Sequence, residues 1–250
     1  MKPFVNLLSA VLITAICPNS DAAVLAFWDF NNGFVEADAS PQIVHGSVIG
    51  VANLYQQRAD TDGNGKGGNA FADAANGINA VAGQSMAWDD IAKSGDNDAE
   101  FFLVFSTIGY KDIEISFDFQ NNGTSPIESY DLKFSLNTLQ DVTNPGDVSG
   151  TVKDFAGGVS TEITNNTAVS ASTSFTRVAV NLSSQTAIND QGYVAIRFDD
   201  WQNGAANDDM RIDNVLITGN LVPEPSAAVL AGLGALALLR RRRVATSTGA

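Results

Sequence analysis

The fold of this chain is decided by one stretch, DIEISFDF, which occupies residues Asp112–Phe119. Apolar and polar side chains alternate along it with a period of two residues, a pattern typical of a β-strand with one buried face. The next apolar run repeats the alternation, and turn-forming residues at 121–126 separate the two runs. We therefore predict two neighbouring antiparallel strands. Their inward-facing side chains are Ile113, Ile115, Phe117 and Phe119, and then Tyr130, Leu132, Phe134 and Leu136.

Runs of strand length recur between residues 23 and 221, and no helical stripe stands out there. Many strands joined by Gly-, Asn- and Asp-rich connections predict an all-β fold, an antiparallel β-sandwich that is jelly-roll-like. Residues Asp60–Gly95 are rich in glycine and poor in β-branched residues, so we predict a long elaborated loop or an irregular strand set there. The further predicted strands are Val24–Phe30, Phe101–Ser106, Ser174–Leu182, Tyr193–Asp199 and Arg211–Thr218.

Composition excludes several classes of partner. The chain has 28 acidic and 14 basic residues, and its formal net charge is -14. A surface of this sign repels nucleic acid and anionic membrane surfaces, so neither is expected to bind. Cys17 is the only cysteine, so a mature domain without it has no disulfide and depends on its core for stability.

The N-terminal segment has the features of a secretory signal peptide. Lys2 precedes an apolar run at Phe4–Ile16, and small residues follow up to Ala22. This order is typical of a segment that directs export and is then removed. We predict a signal peptide at residues 1–22 and one β-sandwich ectodomain at residues 23–221.

The C-terminal segment combines three features in sequence. A Pro-Glu-Pro tripeptide ends the preceding strand, because proline can neither donate to a sheet nor sit inside a helix. An apolar run at residues 227–239 follows, shorter than the roughly 20 residues that a transmembrane helix needs. Basic clusters stay on the cytoplasmic side of a membrane, so residues 222–243 are predicted as a sorting or transmembrane segment and residues 244–250 as a cytoplasmic tail. The charged and proline residues are Pro223, Glu224, Pro225, Arg240, Arg241, Arg242 and Arg243.

These features resemble the PEP-CTERM sorting signal of exported bacterial proteins. The resemblance implies recognition by exosortase, a membrane-embedded, cysteine-peptidase-like enzyme that cuts near the Pro-Glu-Pro. It also implies export across the inner membrane to the cell envelope or extracellular matrix, with transient or permanent anchoring through the C-terminal helix. Contact with a membrane is then expected only through the signal peptide and this tail.

The ectodomain also resembles known domains. The stretches Ala26–Asn31, Ser106–Lys111 and Arg211–Val215 are similar to a recurrent class of PEP-CTERM ectodomains. Within the last stretch, Ile-Asp-Asn-Val resembles the final strand of jelly-roll carbohydrate-binding modules, in which the aspartate helps to hold a structural calcium ion. The resemblance implies a Ca2+ ligand at Asp213, together with Asp29 or Glu36 near the start of the domain. Residues 32–36 depart from the order found in those modules.

A second calcium candidate comes from spacing alone. Asp60, Asp62 and Asn64 place oxygen ligands at alternate positions, and Gly65 follows at the sixth position, where a calcium loop turns sharply. Phe71 occupies the twelfth position, where a bidentate glutamate should complete the shell. The alternative is a Gly/Asp turn without metal, because Asp and Asn favour such turns on their own.

The chain offers few residues for catalysis. His45 is the only histidine, which excludes a two-histidine zinc site and Cys/His chemistry, and no Gly-x-Ser-x-Gly motif is present. We expect His45 at the surface or at a strand end. Adjacent aspartates such as Asp199 and Asp200 point to opposite faces of a strand, so they do not form the carboxylate pair of a glycosidase. The sequence therefore predicts a protein that is not an enzyme.

Tryptophan side chains are candidates for stacking against sugar rings, because an indole has a flat apolar face and a polar edge. Trp88 and Trp201 are the two candidates, with core packing as the alternative for each. Trp28 lies inside an apolar strand, where core packing is expected.

Three functional hypotheses follow. The first is an exported envelope or extracellular-matrix protein with a structural or adhesive role, whose partner is an exosortase-type sorting enzyme. The second is a carbohydrate-binding module that binds extracellular polysaccharide and is stabilised by calcium. The third, a polysaccharide hydrolase, is the least favoured because no positioned acid/base pair can be named.

Overall fold

The computed structural model describes residues 22–31, 42–57, 70–74, 82–88, 100–122, 127–143, 151–169, 172–202, 209–222 and 232–234. Single 3-10 turns occur at Ala156–Gly158 and Thr186–Ile188, and a helical turn occurs at 232–234. The strands are β1 (Ala23–Trp28), β2 (Gln42–Gly46), β3 (Ile49–Gly50), β4 (Asn53–Gln57), β5 (Ala70–Ala74), β6 (Ala82–Gln84), β7 (Met86–Trp88), β8 (Glu100–Phe105), β9 (Tyr110–Asn122), β10 (Ser129–Ser135), β11 (Leu139–Thr143), β12 (Thr151–Phe155), β13 (Thr161–Ala168), β14 (Thr176–Asn181), β15 (Val194–Gln202) and β16 (Asp209–Leu221).

Two six-stranded antiparallel sheets form the sandwich, which confirms the predicted fold class. Sheet A has the order β14-β9-β16-β1-β3, and β7 pairs with the first part of β16. Sheet B has the order β13-β10-β15-β8-β4-β2. Two hairpins, β5–β6 and β11–β12, stand outside these sheets. The last strand, β16, therefore lies in the middle of sheet A between β9 and β1.

The core lies between the two sheets and is built from the alternation in the sequence. The four apolar residues of the Asp112–Phe119 stretch are fully buried in it, at Ile113, Ile115, Phe117 and Phe119. Sheet B contributes aromatic side chains to the same cluster, among them Phe101 and Phe198. Because each strand buries every second side chain, the polar residues between them lie on the outer faces of the sheets.

The prediction that the first two alternating runs are neighbours in one sheet is wrong. The first run forms β9 in sheet A, and the second forms β10 in sheet B. Alternation shows that one face of a strand is buried, but it does not identify the partner strand. Here β9 pairs with β14 and β16, and β10 pairs with β13 and β15. The two apolar faces meet across the core instead of lying side by side.

Other predictions need smaller corrections. Leu136 was expected to face inward, but β10 ends at Ser135 and Leu136 is 39% exposed. Within Asp60–Gly95, the described residues form β5, β6 and β7, which agrees with an irregular strand set. The six strands β2, β3, β4, β11, β12 and β13 were missed, because they are short or have few apolar residues.

His45 is buried near the end of β2, so it is a strand-end residue but not a surface one. Its Nε2 atom lies 3.0 Å from Gln56 Oε1, and its backbone oxygen accepts a hydrogen bond from Trp28 Nε1 at 3.0 Å. The Phe30 ring packs edge-on against the imidazole at 5.2 Å. Burial lowers the pKa of His45 to about 4, although the hydrogen bond to Gln56 opposes the shift. The folded protein therefore favours a neutral imidazole.

A matched pair of substitutions on β9 tests the assignment of faces. Ile115→Ala removes a fully buried side chain, and we expect it to lower the free energy of unfolding by about 2–5 kcal/mol. Glu114→Ala removes the exposed neighbour, and we expect a change within about 0.5 kcal/mol. Urea unfolding measures both. Equal losses for the two variants would contradict the arrangement of β9.

His45 predicts a dependence of stability on pH. Its folded pKa lies below its ordinary value, so between about 6.5 and 4 the unfolded chain binds more protons, and stability falls as pH falls. The loss of unfolding free energy in the parent protein is about 3 kcal/mol between pH 7 and pH 4, and it should be absent in His45→Gln. Urea unfolding of both proteins across this range measures the difference. If the pH profiles of the two proteins are parallel, the pKa of His45 is not lowered in the folded protein.

Candidate functional site

One polar cluster surrounds an irregularity in β16. The register of β16 against β9 shifts between Asp213 and Leu216, and Asn214 has a positive φ of 48°. The Asn214 side chain donates to Asp118 Oδ2 at 2.9 Å, and Arg177 donates to Asp118 Oδ1 at 3.0 Å. Asp118 is fully buried, so Arg177 supplies the countercharge that a buried carboxylate requires.

The cluster includes Asp213, the calcium ligand that the resemblance implies. Burial, with a smaller contribution from the carboxylates of Asp118 and Asp29, raises the pKa of Asp213 to about 7, although the hydrogen bond from the Asn214 backbone opposes the shift. Asp29 therefore does lie close to Asp213. However, Asp118 is already bound by Arg177, and Asp213 Oδ1 accepts a hydrogen bond from Asn214 N at 2.7 Å. These contacts occupy part of the carboxylate oxygens, and a calcium ligand at Asp213 stays a prediction.

The other calcium candidates lie elsewhere in the chain. Asp60, Asp62 and Asn64 lie outside the described residues, as does Glu36. Among the residues that the structure describes, no group of three Asp, Glu, His or Cys side chains is placed to hold a metal ion.

The three tryptophans differ in what the structure says of them. Trp28 is buried, as expected. Trp201 is also buried, with its ring stacked on Phe119 at 5.8 Å and tilted against Tyr130 at 4.9 Å. Because it lies within the core, Trp201 packs the two sheets together and is not the sugar-stacking platform that its place in the sequence suggested. The backbone of Trp88 pairs with Met210 in sheet A, and its side chain is outside the described residues.

A second polar cluster crosses the outer face of sheet B. We call it the sheet B row, and it consists of Asp131, Asp199, Glu100 and Gln57. Asp131 pairs with Asp199 between β10 and β15, and Gln57 pairs with Glu100 between β4 and β8. Phe198 pairs with Phe101, so the next residues, Asp199 and Glu100, are also adjacent. The row therefore runs across four strands, perpendicular to them.

Basic side chains next to the row neutralise part of its charge. Arg197 makes ion pairs with Glu100 Oε2 and, at 2.9 Å, with Asp199 Oδ2. Lys133 donates to the same Asp199 oxygen at 3.0 Å. Asp131 instead accepts a hydrogen bond from the backbone of Asn166 at 2.7 Å. These contacts hold the row in one geometry.

The hairpin β11–β12 lies over one end of the row. Lys153 N donates to Gln57 Oε1 at 2.7 Å, and Phe155 packs edge-on against Phe102 at 5.3 Å. Asp154 approaches Arg197 at 3.5 Å. This cover explains why burial raises the pKa of the Glu100 carboxyl to about 8, in spite of the opposing charge of Arg197.

Asp199 is the residue of the row with unused hydrogen-bonding capacity. Its side chain is 5% exposed, and burial raises its pKa against the effect of Arg197 and Lys133. Within the described part of the chain, Asp199 Oδ1 has no hydrogen-bond partner. This oxygen has almost no accessible area, so the partly exposed side chains of Lys133 and Arg197 are what this part of the row presents to solvent.

Sequence reasoning missed the sheet B row. The alternation at Tyr130–Leu136 implies that Asp131 faces outward, and Asp199 was considered only as part of an adjacent pair with Asp200. Glu100 lies directly before the predicted strand Phe101–Ser106, and no role was predicted for it. The available signal was that the outward positions of β8, β10 and β15 carry charged residues, but the strand order that aligns them is not readable from one sequence.

The C-terminal tail leaves the sandwich at a defined place. Val222 N donates to Gly109 O at 2.8 Å, directly after β16 ends at Leu221. The next described residues are 232–234, a short exposed helical turn, and the other residues of the predicted sorting segment lie outside the described part. None of the helices in the described part of the chain has the length and apolar character needed to cross a bilayer.

Solved structures with a similar arrangement were found at low similarity. The enzymatically active domain of bacteriophage CBA120 tailspike protein 4 is 13% identical with a TM-score of 0.35, and the match covers 68% of this chain but only 19% of that chain. The K1 cleaved adhesin domain of Lys-gingipain from Porphyromonas gingivalis W83 is 17% identical with a TM-score of 0.39, covering 78% and 97%. The CBM22-1 xylan-binding domain of Paenibacillus barcinonensis Xyn10C is 14% identical with a TM-score of 0.36, covering 81% and 98%.

Sequence comparison is informative for the tail. No curated protein matches the chain significantly. Residues 221–243 match the family model described as the PEP-CTERM protein-sorting motif. The motif is the substrate signal for exosortase-type sorting and implies an exported, envelope-associated protein. Its first residue, Leu221, is also the last residue of β16. The chain is therefore a β-sandwich protein that carries a PEP-CTERM protein-sorting motif directly after its last strand.

Proposed function

We propose that the β-sandwich is the exported cargo of its own C-terminal signal and has a structural or adhesive role in the cell envelope or extracellular matrix. The observation that carries this proposal is the coincidence of two boundaries. Strand β16 ends at Leu221, and the sorting motif begins at the same residue. The sorting motif therefore follows the folded domain directly and shares one residue with it.

This arrangement supports removal of the tail without damage to the domain. Strand β16 is paired on both sides in sheet A, with β9 on one side and with β7 and β1 on the other. A cut within β16 would break the centre of the sheet, whereas a cut beyond Val222 would break no strand pairing. Cleavage near Pro223–Pro225 would therefore release a complete sandwich and leave the arginine cluster behind.

Deletion of the tail tests the sorting part of the proposal. A chain that ends at Val222 should be exported and folded, but it should not reach the location of the full-length chain. Fractionation of cells that contain an exosortase-type enzyme, followed by immunoblotting, measures the difference. Replacement of Pro223, Glu224 and Pro225 by alanine should give the same mislocalisation with the apolar run intact.

Replacement of Thr246 by alanine is the matched control, because this residue lies beyond the motif. This variant should be processed and located like the parent chain. If the chain that ends at Val222 is located and processed like the full-length chain, the tail is not the sorting signal of this protein.

A second candidate function is carbohydrate binding on the outer face of sheet B, and the sheet B row favours it. Neighbouring strands lie about 4.8 Å apart, so the row offers hydrogen-bonding groups at a regular spacing across four strands. The groups of this cluster that a polysaccharide can reach are the partly exposed side chains of Lys133 and Arg197, and Asp199 positions both of them. In this candidate function, calcium is an ion that stabilises the folded domain.

Binding of the purified protein to a panel of polysaccharides tests this candidate. We expect Asp199→Asn to weaken binding by about tenfold, because it weakens the ion pairs that position Lys133 and Arg197. Asp141→Asn on the exposed hairpin is the matched control and should bind like the parent protein. Affinity electrophoresis with calcium and with chelator measures both variants, and release of reducing ends would reveal a hydrolase. Absence of binding to every polysaccharide, or equal binding by both variants, would remove the sheet B row as a glycan site.

A further inference from the structure

Both described ends of the sandwich emerge at the same end of sheet A. Strand β1 begins at Ala23, which pairs with Gly219 near the end of β16. Strand β16 ends at Leu221, which pairs with Tyr110 at the start of β9. We call this end of the sandwich the exit pole. The predicted signal peptide and the sorting motif are therefore attached to one pole of the domain.

The exit pole exposes large apolar side chains around the two chain ends. On the side of sheet A, Val24 follows the first residue of β1 and is 44% exposed, and Leu221 is 51% exposed. Ile108 is 64% exposed in the turn that joins β8 to β9. This turn also holds the tail, because Val222 N donates to Gly109 O.

Sheet B contributes three more apolar side chains to the same pole. Leu136 follows the end of β10 and is 39% exposed, and Val159 precedes the start of β13 and is 59% exposed. Val51 precedes β4 and is 95% exposed. The other exposed large apolar residues of the described sandwich, Val44, Val48 and Ile49, lie along its β2–β3 edge. Among the described residues, none lies at the opposite pole.

Two acidic residues of the exit pole are engaged within the protein. Asp112 lies 3.7 Å from Lys111 Nζ and accepts a hydrogen bond from Asn220 at 3.4 Å. Asp190 accepts a hydrogen bond from Gly109 N at 2.8 Å. The pole thus combines exposed apolar groups with carboxylates that are already bound, whereas the chain as a whole has a net charge of -14.

The short linker between Val222 and the apolar run determines how close the exit pole lies to the membrane. Only residues 223–226 separate Val222 from the apolar run at 227–239. Five residue steps lead from Val222 to Ala227, and an extended chain spans at most about 18 Å over them. While the apolar run is in a bilayer, Val222 is therefore held within about 18 Å of the hydrocarbon region, and the exit pole around it is close to the interface.

We propose that the exit pole is a lipid-contacting surface that rests on the membrane while the tail is inserted, with Ile108, Val159 and Leu221 in the interfacial layer. This inference rests on the proposed function, because the tail supplies the proximity. The net negative charge of the domain argues against stable binding to anionic membranes on its own. After removal of the tail, the pole would lose its only tether and the domain would leave the surface.

The test uses residues 23–250, the chain without its predicted signal peptide and therefore without Cys17, in phosphatidylcholine vesicles, with one environment-sensitive fluorophore attached to an introduced cysteine. A probe in Ile108→Cys should shift to shorter wavelength and be quenched by doxyl-labelled lipid. A probe in Val44→Cys is the matched control, because Val44 is 53% exposed on β2 away from the exit pole, and it should show neither effect. A probe in Leu233→Cys reports insertion of the tail.

The outcomes separate the inference from the proposed function. Quenching at positions 108 and 233 but not at 44 supports lipid contact. Quenching at 233 alone overturns the inference and leaves the sorting tail in place. If the probe at 233 is not quenched, the tail does not insert, and both the inference and the membrane step of the proposed function fail. A spectral shift at 108 that depends on protein concentration and not on doxyl lipid would indicate a second copy of the chain, and would also overturn lipid contact.

Discussion

The contact between two aromatic surfaces, one from each sheet, is the interaction on which the sandwich depends. Phe117 and Phe119 of β9 face Phe101 of β8 and Phe198 and Trp201 of β15. Phe198 meets Phe117 edge-on at 5.4 Å, and Trp201 stacks on Phe119 at 5.8 Å. Aromatic pairs in these geometries add to the free energy gained from burying apolar area. Because Cys17 is the only cysteine, no intramolecular disulfide shares this task.

This core determines where polar chemistry can lie. A strand that buries every second side chain must place the others on an outer face, so the acidic residues of β8, β10 and β15 become the sheet B row once strand order aligns them. The same constraint isolates Asp118 on sheet A, where Arg177 balances its charge. The chain ends, in contrast, are placed by the pairing of β1 with β16, which brings both of them to one pole.

The sequence predicted what depends on local pattern. Three features could be predicted because each depends on a pattern in consecutive residues. They are the all-β class, the sorting motif and the burial of Ile113, Ile115, Phe117 and Phe119. Strand order was not readable, so β9 and β10 were wrongly paired and the sheet B row was missed. For Trp201 the sequence left sugar stacking and core packing open; β15 continues to Gln202, and the indole is buried in the core.

The central claim is that the sandwich is cargo delivered by a tail that begins where the fold ends. The mass of the mature protein isolated from its native cell envelope or matrix tests this claim most directly, because it locates both processed ends. The account predicts an N-terminus at Ala23 and a C-terminus between Val222 and Ser226, with strand β16 complete. A mature protein that retains Arg240–Arg243, or one that ends before Leu221, would contradict it.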